Sequence, residues 1–259
     1  MISLRRLRTI IAHELRLASR DPVTVLVLVV FPIITMAFVK PAFRAALQQS
    51  GYPHANGAEQ VVPGQAVMSA FFIVSVTTFA FFFEYAYRTW DRLRASPASS
   101  IEIVLGKATP RVGMVVAQLF VVLAAGVVLF GLHISGNAWA LLPLILVFAL
   151  TLVALGVAVT AVAHSAQQAS AIAFVGMVLF GAIGGALVPY RVLPSWSKHL
   201  SPITPTYWAM RGFNSVILDG RGWGAMAAPL AALVAMTLLF VAIALRRLRF
   251  DDAKDVFVY

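Results

Sequence analysis

Six uncharged apolar runs limit what this chain can fold into: residues 23–39, 65–83, 112–132, 138–163, 169–188 and 225–245, each at least 17 residues long. A hydrocarbon core about 30 Å thick is crossed by roughly 20 helical residues. Backbone groups in lipid must be satisfied internally, so only helices and closed barrels span it. The alternation of a barrel strand is absent, and the runs predict six membrane helices in an all-α polytopic protein. Composition agrees, with 61% of the 259 residues hydrophobic and 12% charged, against about half and a quarter in soluble domains. The chain reads as one domain, 1–259: an amphipathic segment 1–22, a membrane region 23–245 and a tail 246–259.

An even number of spans returns both termini to one side, and basic residues identify that side. Fourteen Lys and Arg residues fall in the N-terminal segment, the 84–111 connection and the tail, whereas six, Lys40, Arg44, Arg191, Lys198, Arg211 and Arg221, fall opposite. The expected placement is a bacterial cytoplasmic membrane with both termini inside. The net charge of +10 sits at helix ends, where lipid headgroups account for it, so no nucleic-acid partner is expected. Residues 1–21 place Leu4, Leu7, Ile11, Leu15 and Ala18 at helical spacing with arginines elsewhere on the wheel. That pattern predicts an interfacial helix; a secretory leader's apolar core and cleavage site are absent.

Within the spans, Pro32 predicts a kink, Lys40-Pro41 an end to the first helix, and Pro63-Gly64 the opening of the second. Phe71, Ser75, Thr78 and Phe82 repeat at i, i+4, i+7 and i+11. Their shared face either lines a pathway or packs against a neighbour. Span five presents Phe174, Met177 and Gly181 on one face, and Gly181 with Gly185 forms a Gly-xxx-Gly pair, a close helix contact or a narrow pathway lining. After it, Pro189, Pro194, Pro202 and Pro205 divide short apolar pieces bearing Tyr190, Trp196, Tyr207 and Trp208. These pieces are too short to cross and predict re-entrant or interfacial helices. Pro189, Trp196, Tyr207 and Trp208 are the candidates for an outer gate.

Chemistry inside the membrane is missing. The ten acids lie outside the runs or at their rims, the five histidines are scattered, and no GxxxxGK[ST] loop occurs. An ion-driven pump needs ionisable groups within its spans, and a metal site or nucleotide loop needs clustered ligands. The chain is therefore expected to be no enzyme, with no catalytic residue, metal or cofactor of its own. A passive channel, a scaffold, or the membrane half of a machine powered by another chain remain.

One extended charged stretch, 84–107, separates spans two and three. It contains Glu84, then Arg88-Thr89-Trp90-Asp91-Arg92-Leu93, then Ser96-Pro97, then Ile101-Glu102-Ile103-Val104-Leu105-Gly106-Lys107. Helical spacing makes Glu84 and Arg88, and Arg88 and Asp91, neighbours, and Ser96-Pro97 stops the helix. Pro63-Gly64 precedes it; Leu193-Pro194-Ser195-Trp196, Pro205-Thr206-Tyr207-Trp208 and Arg211 follow. Taken in this order the motifs resemble those of the type-2 permeases of ATP-binding cassette (ABC) exporters, over nearly the whole chain. Arg88 and Trp90 depart from that family's usual Gly and Leu.

The resemblance implies a coupling helix, 84–95, seated on a separate ATPase, with Glu84, Arg88, Asp91, Arg92, Leu93, Ser96 and Pro97 as contact residues. It also implies two ATPase copies carrying ATP and Mg, a second permease, identical or related, and surrounding lipid. The implied activity is export of an amphiphilic drug or lipid-like substrate, or of a lipid-linked polysaccharide.

Overall fold

The computed structural model describes residues 3–49, 51–86, 89 and 95–247. Among these, six apolar helical segments are long enough to cross a membrane, and no strand occurs. Ahead of them lies α1 (Leu4–Ala18). Span 1 comprises α2 (Pro22–Val25), a π turn (Leu26–Val30) and α3 (Phe31–Gln49). Pro32 cannot donate to the Leu28 carbonyl and its ring crowds it, and the widened π turn just ahead of Phe31 is where the helix absorbs the defect.

Pro41 does not end span 1. It lies inside α3, which runs to Gln49. One proline removes one rung, a loss that membrane helices tolerate where neighbours re-satisfy the freed group. Span 2 also begins earlier than its apolar run, as α4 (Ala58–Ala70), with Pro63 in its interior. Gly57 turns the chain there at φ 95°, and a Cβ at that position would sit 2.4 Å from the Lys40 carbonyl oxygen. After a turn at Phe71, span 2 continues as α5 (Phe72–Ala86).

The remaining spans are α6 (Ser100–Phe130), α7 (Leu141–Val162) behind a 3-10 turn, α8 (Ala166–Ile183), and α11 (Ala227–Arg247). Span five stops five residues short of its apolar run. Gly185 adopts φ 87°, and the amides of Ala186 and Leu187 both donate to the Gly181 carbonyl. This is a left-handed helix stop, so Gly185 is off the helix and the expected Gly-xxx-Gly surface does not form. Gly181 instead accommodates span 2: a Cβ there would lie 2.0 Å from Met68 Sδ. Between spans 5 and 6, α9 (Ser195–Leu200) and α10 (Pro205–Ile217) are the expected non-crossing helices. α10 buries Ala209, Met210, Phe213, Val216 and Ile217.

Burial ranks the spans. Spans 2 and 4 bury 61% and 67% of their most apolar stretch inside the subunit, the other four 17–33%. α7 packs against α5, α6 and α11, at the centre of the bundle. Polar ties fix its neighbours: Thr151 Oγ1 lies 2.9 Å from Thr237 Oγ1 on α11, and Gln118 Nε2 on α6 donates to Ser69 Oγ on α4 at 2.9 Å. Interhelical bonds in lipid contribute about 0.6–2 kcal/mol each.

Candidate functional site

The charged residues at the α1 end form a closed network. α1 lies along the first turns of α6, where Gly106 permits the approach: a Cβ there would be 2.4 Å from Ile10 Cγ2. On the contacting face Glu14 is buried, while Leu4 and Leu15 of the predicted apolar stripe are exposed. Lys107 Nζ donates to Glu14 Oε1 at 2.8 Å, to Glu84 Oε1 at 2.6 Å and to the Ala80 carbonyl at 3.1 Å. Arg111 Nη1 pairs with Glu14 Oε2 at 2.6 Å and donates to the Lys107 carbonyl at 2.7 Å. Two carboxylates thus balance two cations. Lys107 and Glu14 are each only 3% exposed, and buried charges are sustainable only when paired in this way.

Glu102 makes a second clasp one turn away. It closes a capping box with Ser99, and its Oε1 accepts from the Ser3 amide at 2.5 Å and from Arg6 Nη2 at 3.0 Å. Arg6 Nη1 also reaches the Pro97 carbonyl at 2.6 Å. The two clasps bind α1 to both ends of the 84–100 connection. Burial raises the Glu14 carboxyl pKa, but Arg111 and Lys107 more than offset this and hold it below its ordinary value.

Several predicted contact residues fall on this network. Glu84 accepts from Lys107 and the Thr89 hydroxyl, so its carboxylate faces the protein's own cation. Ser96 Oγ accepts from the Ala98 amide at 3.3 Å, and Pro97 lends its carbonyl to Arg6. Arg88, Asp91, Arg92 and Leu93 lie outside the described residues. Glu14, Lys107 and Arg111 were missed as a cluster because Glu14 is brought to Lys107 across 93 positions and to Arg111 across 97, beyond any helical spacing. The available signal was a single acid, Glu14, within an otherwise basic helix.

The spacing on span 2 does produce one face, and it turns inward. Phe71, Thr78 and Phe82 are buried and Ser75 half-buried. Phe71 meets the Phe148 and Phe180 rings at 6.4 and 6.1 Å, and Thr78 Oγ1 donates to the Val74 carbonyl at 2.8 Å. On span 5 Phe174 is exposed, Met177 half-buried and Gly181 buried.

At the opposite end, α10 roofs a cavity of about 230 Å³ lined by Tyr52, Arg191, Tyr207, Arg211, Asp219 and Arg221 among others. Tyr52 donates its hydroxyl hydrogen to Asp219 at 2.8 Å and accepts from Arg191 at 2.9 Å. Burial, then the Asp219 carboxylate, push the Tyr52 phenol above its usual range, so it stays a donor. Of the gate candidates, Pro189 is buried, Trp196 exposed, and Tyr207 and Trp208 half-buried. Tyr207 packs on Tyr190 and Trp208 with ring centroids 5.2 and 5.0 Å apart.

Six apolar crossings, a charge-locked helix at one end and non-crossing helices at the other define a multi-pass membrane protein. Residues 5–218 match the ABC-2 type transporter family, and the chain belongs to it. It is 27% identical over 146 residues to the probable multidrug ABC transporter permease YbhR of Escherichia coli (strain K12), covering 56% of this chain and 40% of that protein. The linearmycin resistance permease protein LnrN of Bacillus subtilis (strain 168) is 26% identical over 131 residues, 51% of this chain and 34% of its own. ABC transporter G family member 20 of Dictyostelium discoideum is 26% identical over 200 residues, covering 74% and 27%. The chain thus spans less than half the length of each of these relatives.

Proposed function

We propose that this chain is the membrane permease of an ATP-driven exporter, moving an amphiphilic drug or lipid-like substrate away from the cytoplasm or inner leaflet. A separate ABC ATPase, two copies per complex, binds ATP and Mg and docks beneath the 84–95 segment. A second permease, identical or related, completes the pathway along the exposed faces of spans 1 and 5, with Phe174 and Met177 as lining. Both termini face the cytoplasm, and Tyr207 and Trp208 stand at the outer mouth.

One observation carries this reading beyond family membership. Glu84, at the start of the 84–95 segment expected to seat the ATPase, pairs with Lys107 of span 3, which also pairs with Glu14 of α1, and beyond the segment the Pro97 carbonyl accepts from Arg6 of α1. Force applied there enters three helices together. Lipid-linked polysaccharide is the alternative cargo in the same family.

Co-expression with an ABC ATPase subunit tests the reading. The charge reversals Asp91→Lys and Arg92→Glu should abolish co-purification while leaving the permease folded. Substrate movement by reconstituted permease lacking any ATPase would refute the proposal in favour of a passive channel.

A further inference from the structure

Three of the six basic residues that the sequence places on the α10 side converge on one cavity, and a fourth lies close by. Arg191, Arg211 and Arg221 line it, and Lys198 sits behind its Tyr190 wall, with Nζ 5.8 Å from that ring's centroid. Cations gathered around a partly enclosed space raise the local positive potential, and walls of low dielectric focus it. Among the described residues one carboxylate lines the cavity, Asp219, and it is already engaged: Tyr52 donates to it at 2.8 Å and Arg221 Nε lies 3.9 Å away.

Arg211 stands apart from that arrangement. It makes one long hydrogen bond, to the Tyr207 hydroxyl at 3.5 Å, and lies over the Trp208 ring at 5.4 Å. Among the described residues it pairs with no carboxylate. It projects from a helix whose other faces are core, so its backbone is fixed by Met210, Gly212 and Phe213. Its guanidinium presents a planar fork of donors suited to phosphate or carboxylate oxygens. Asn214, one turn along from it, also lines the cavity, and its Oδ1 is buried without a partner. The amide NH₂ is the group that Asn214 can offer, a neutral donor beside the cationic fork.

We propose that the cavity beneath α10 is an anion-recognition site for the phosphate or carboxylate of an amphiphile. Arg211 and Arg221 hold the charged group, Asn214 donates from below, and the Tyr190–Tyr207 ring pair flanks the apolar part. The site rests on the exporter reading only in being placed at the outer mouth. There it takes the acidic group of an exiting substrate or the headgroup of an outer-leaflet lipid.

The test uses the full chain purified in an uncharged detergent, without ATPase, and follows tryptophan fluorescence on titration with decyl phosphate and with decyltrimethylammonium. Saturable binding of decyl phosphate is expected, weakened at least 10-fold by Arg211→Gln with Arg221→Gln and only partly by Arg211→Lys. Decyltrimethylammonium should not saturate. Asn214→Asp, which adds a carboxylate without removing an arginine, should weaken decyl phosphate binding and keeps the test open if the double variant does not fold. Competition by phosphatidylglycerol added to the micelles assigns the site to lipid headgroups, and indifference to it assigns it to soluble amphiphiles. Unchanged decyl phosphate binding in the variants, or equal binding of the ammonium, overturns the proposal. Neither result bears on ATPase association, which separates failure here from failure of the exporter reading.

Discussion

Lys107→Met isolates the contribution of the buried ion network. The substitution keeps most of the side-chain volume and removes one positive charge from a balanced group of four. Glu14 then retains Arg111 at 2.6 Å, and Glu84 retains the Thr89 hydroxyl. Removing one partner of a buried ion pair costs about 3–5 kcal/mol. Glu84 is 19% exposed and water can reach it, which places the expected cost near the lower figure, about 3 kcal/mol.

If that loss falls on the docking of α1, amide protection there should drop about 100-fold, since each 1.4 kcal/mol is a factor of ten. Hydrogen exchange of residues 4–18 in detergent or nanodiscs measures it directly. Glu84→Gln in the same chain restores neutrality, and the double variant should regain most of the lost protection. Unchanged protection in Lys107→Met, or a double variant no better than the single, would falsify the view that charge balance holds α1 in place.

Acid should act on the same contact. Glu14 is held below its ordinary carboxyl value of 4.5 in the folded chain. Its ion pairs therefore stabilise fully above that value, and their contribution fades as pH falls through the lower folded one. Thermal unfolding followed from neutral to acid pH should show a decline in the wild type that is flattened in Glu14→Gln. Gly106→Ala should destabilise by about 1–3 kcal/mol through overpacking, because the added Cβ meets Ile10. Ile10→Ala should recover most of that loss in the same melting assay, and an additive double variant would place the cost elsewhere.

How much of this was legible depended on range. The six crossings were, because hydrocarbon demands an uninterrupted apolar run and nothing else in the sequence mimics one. Their ends were less so: Pro41 and Pro63 look like boundaries by local rules, yet both lie inside helices whose neighbours support them. The face of Phe71, Thr78 and Phe82 followed from helical spacing, but spacing does not say whether a face meets a pathway or a neighbour, and here its rings meet Phe148 and Phe180. The ion network was invisible to spacing altogether. Lys107 reaches Glu14 across 93 positions, and only the docking of α1 on Gly106 makes them partners. The convergence of Arg191, Arg211 and Arg221 was hidden for the same reason, since the segments that carry them meet only when α10 folds back into the bundle.

The length of α6 has a mechanical consequence. Its 31 residues make a rod of about 46 Å at 1.5 Å per residue, about 16 Å longer than the hydrocarbon is thick. One end is gripped by Ser3 and Arg6 through Glu102. The other end offers the Phe130 carbonyl to Lys40 Nζ at 2.8 Å and the Gly131 carbonyl to Asn56 Nδ2 at 2.7 Å. Turning such a rod by about 5° about its midpoint carries each tip about 2 Å. Pro110 is the point where its ladder lacks a rung. A small rotation imposed at the α1 end thus emerges across the bilayer at the junction of the first two spans, with no loop between to take up the slack.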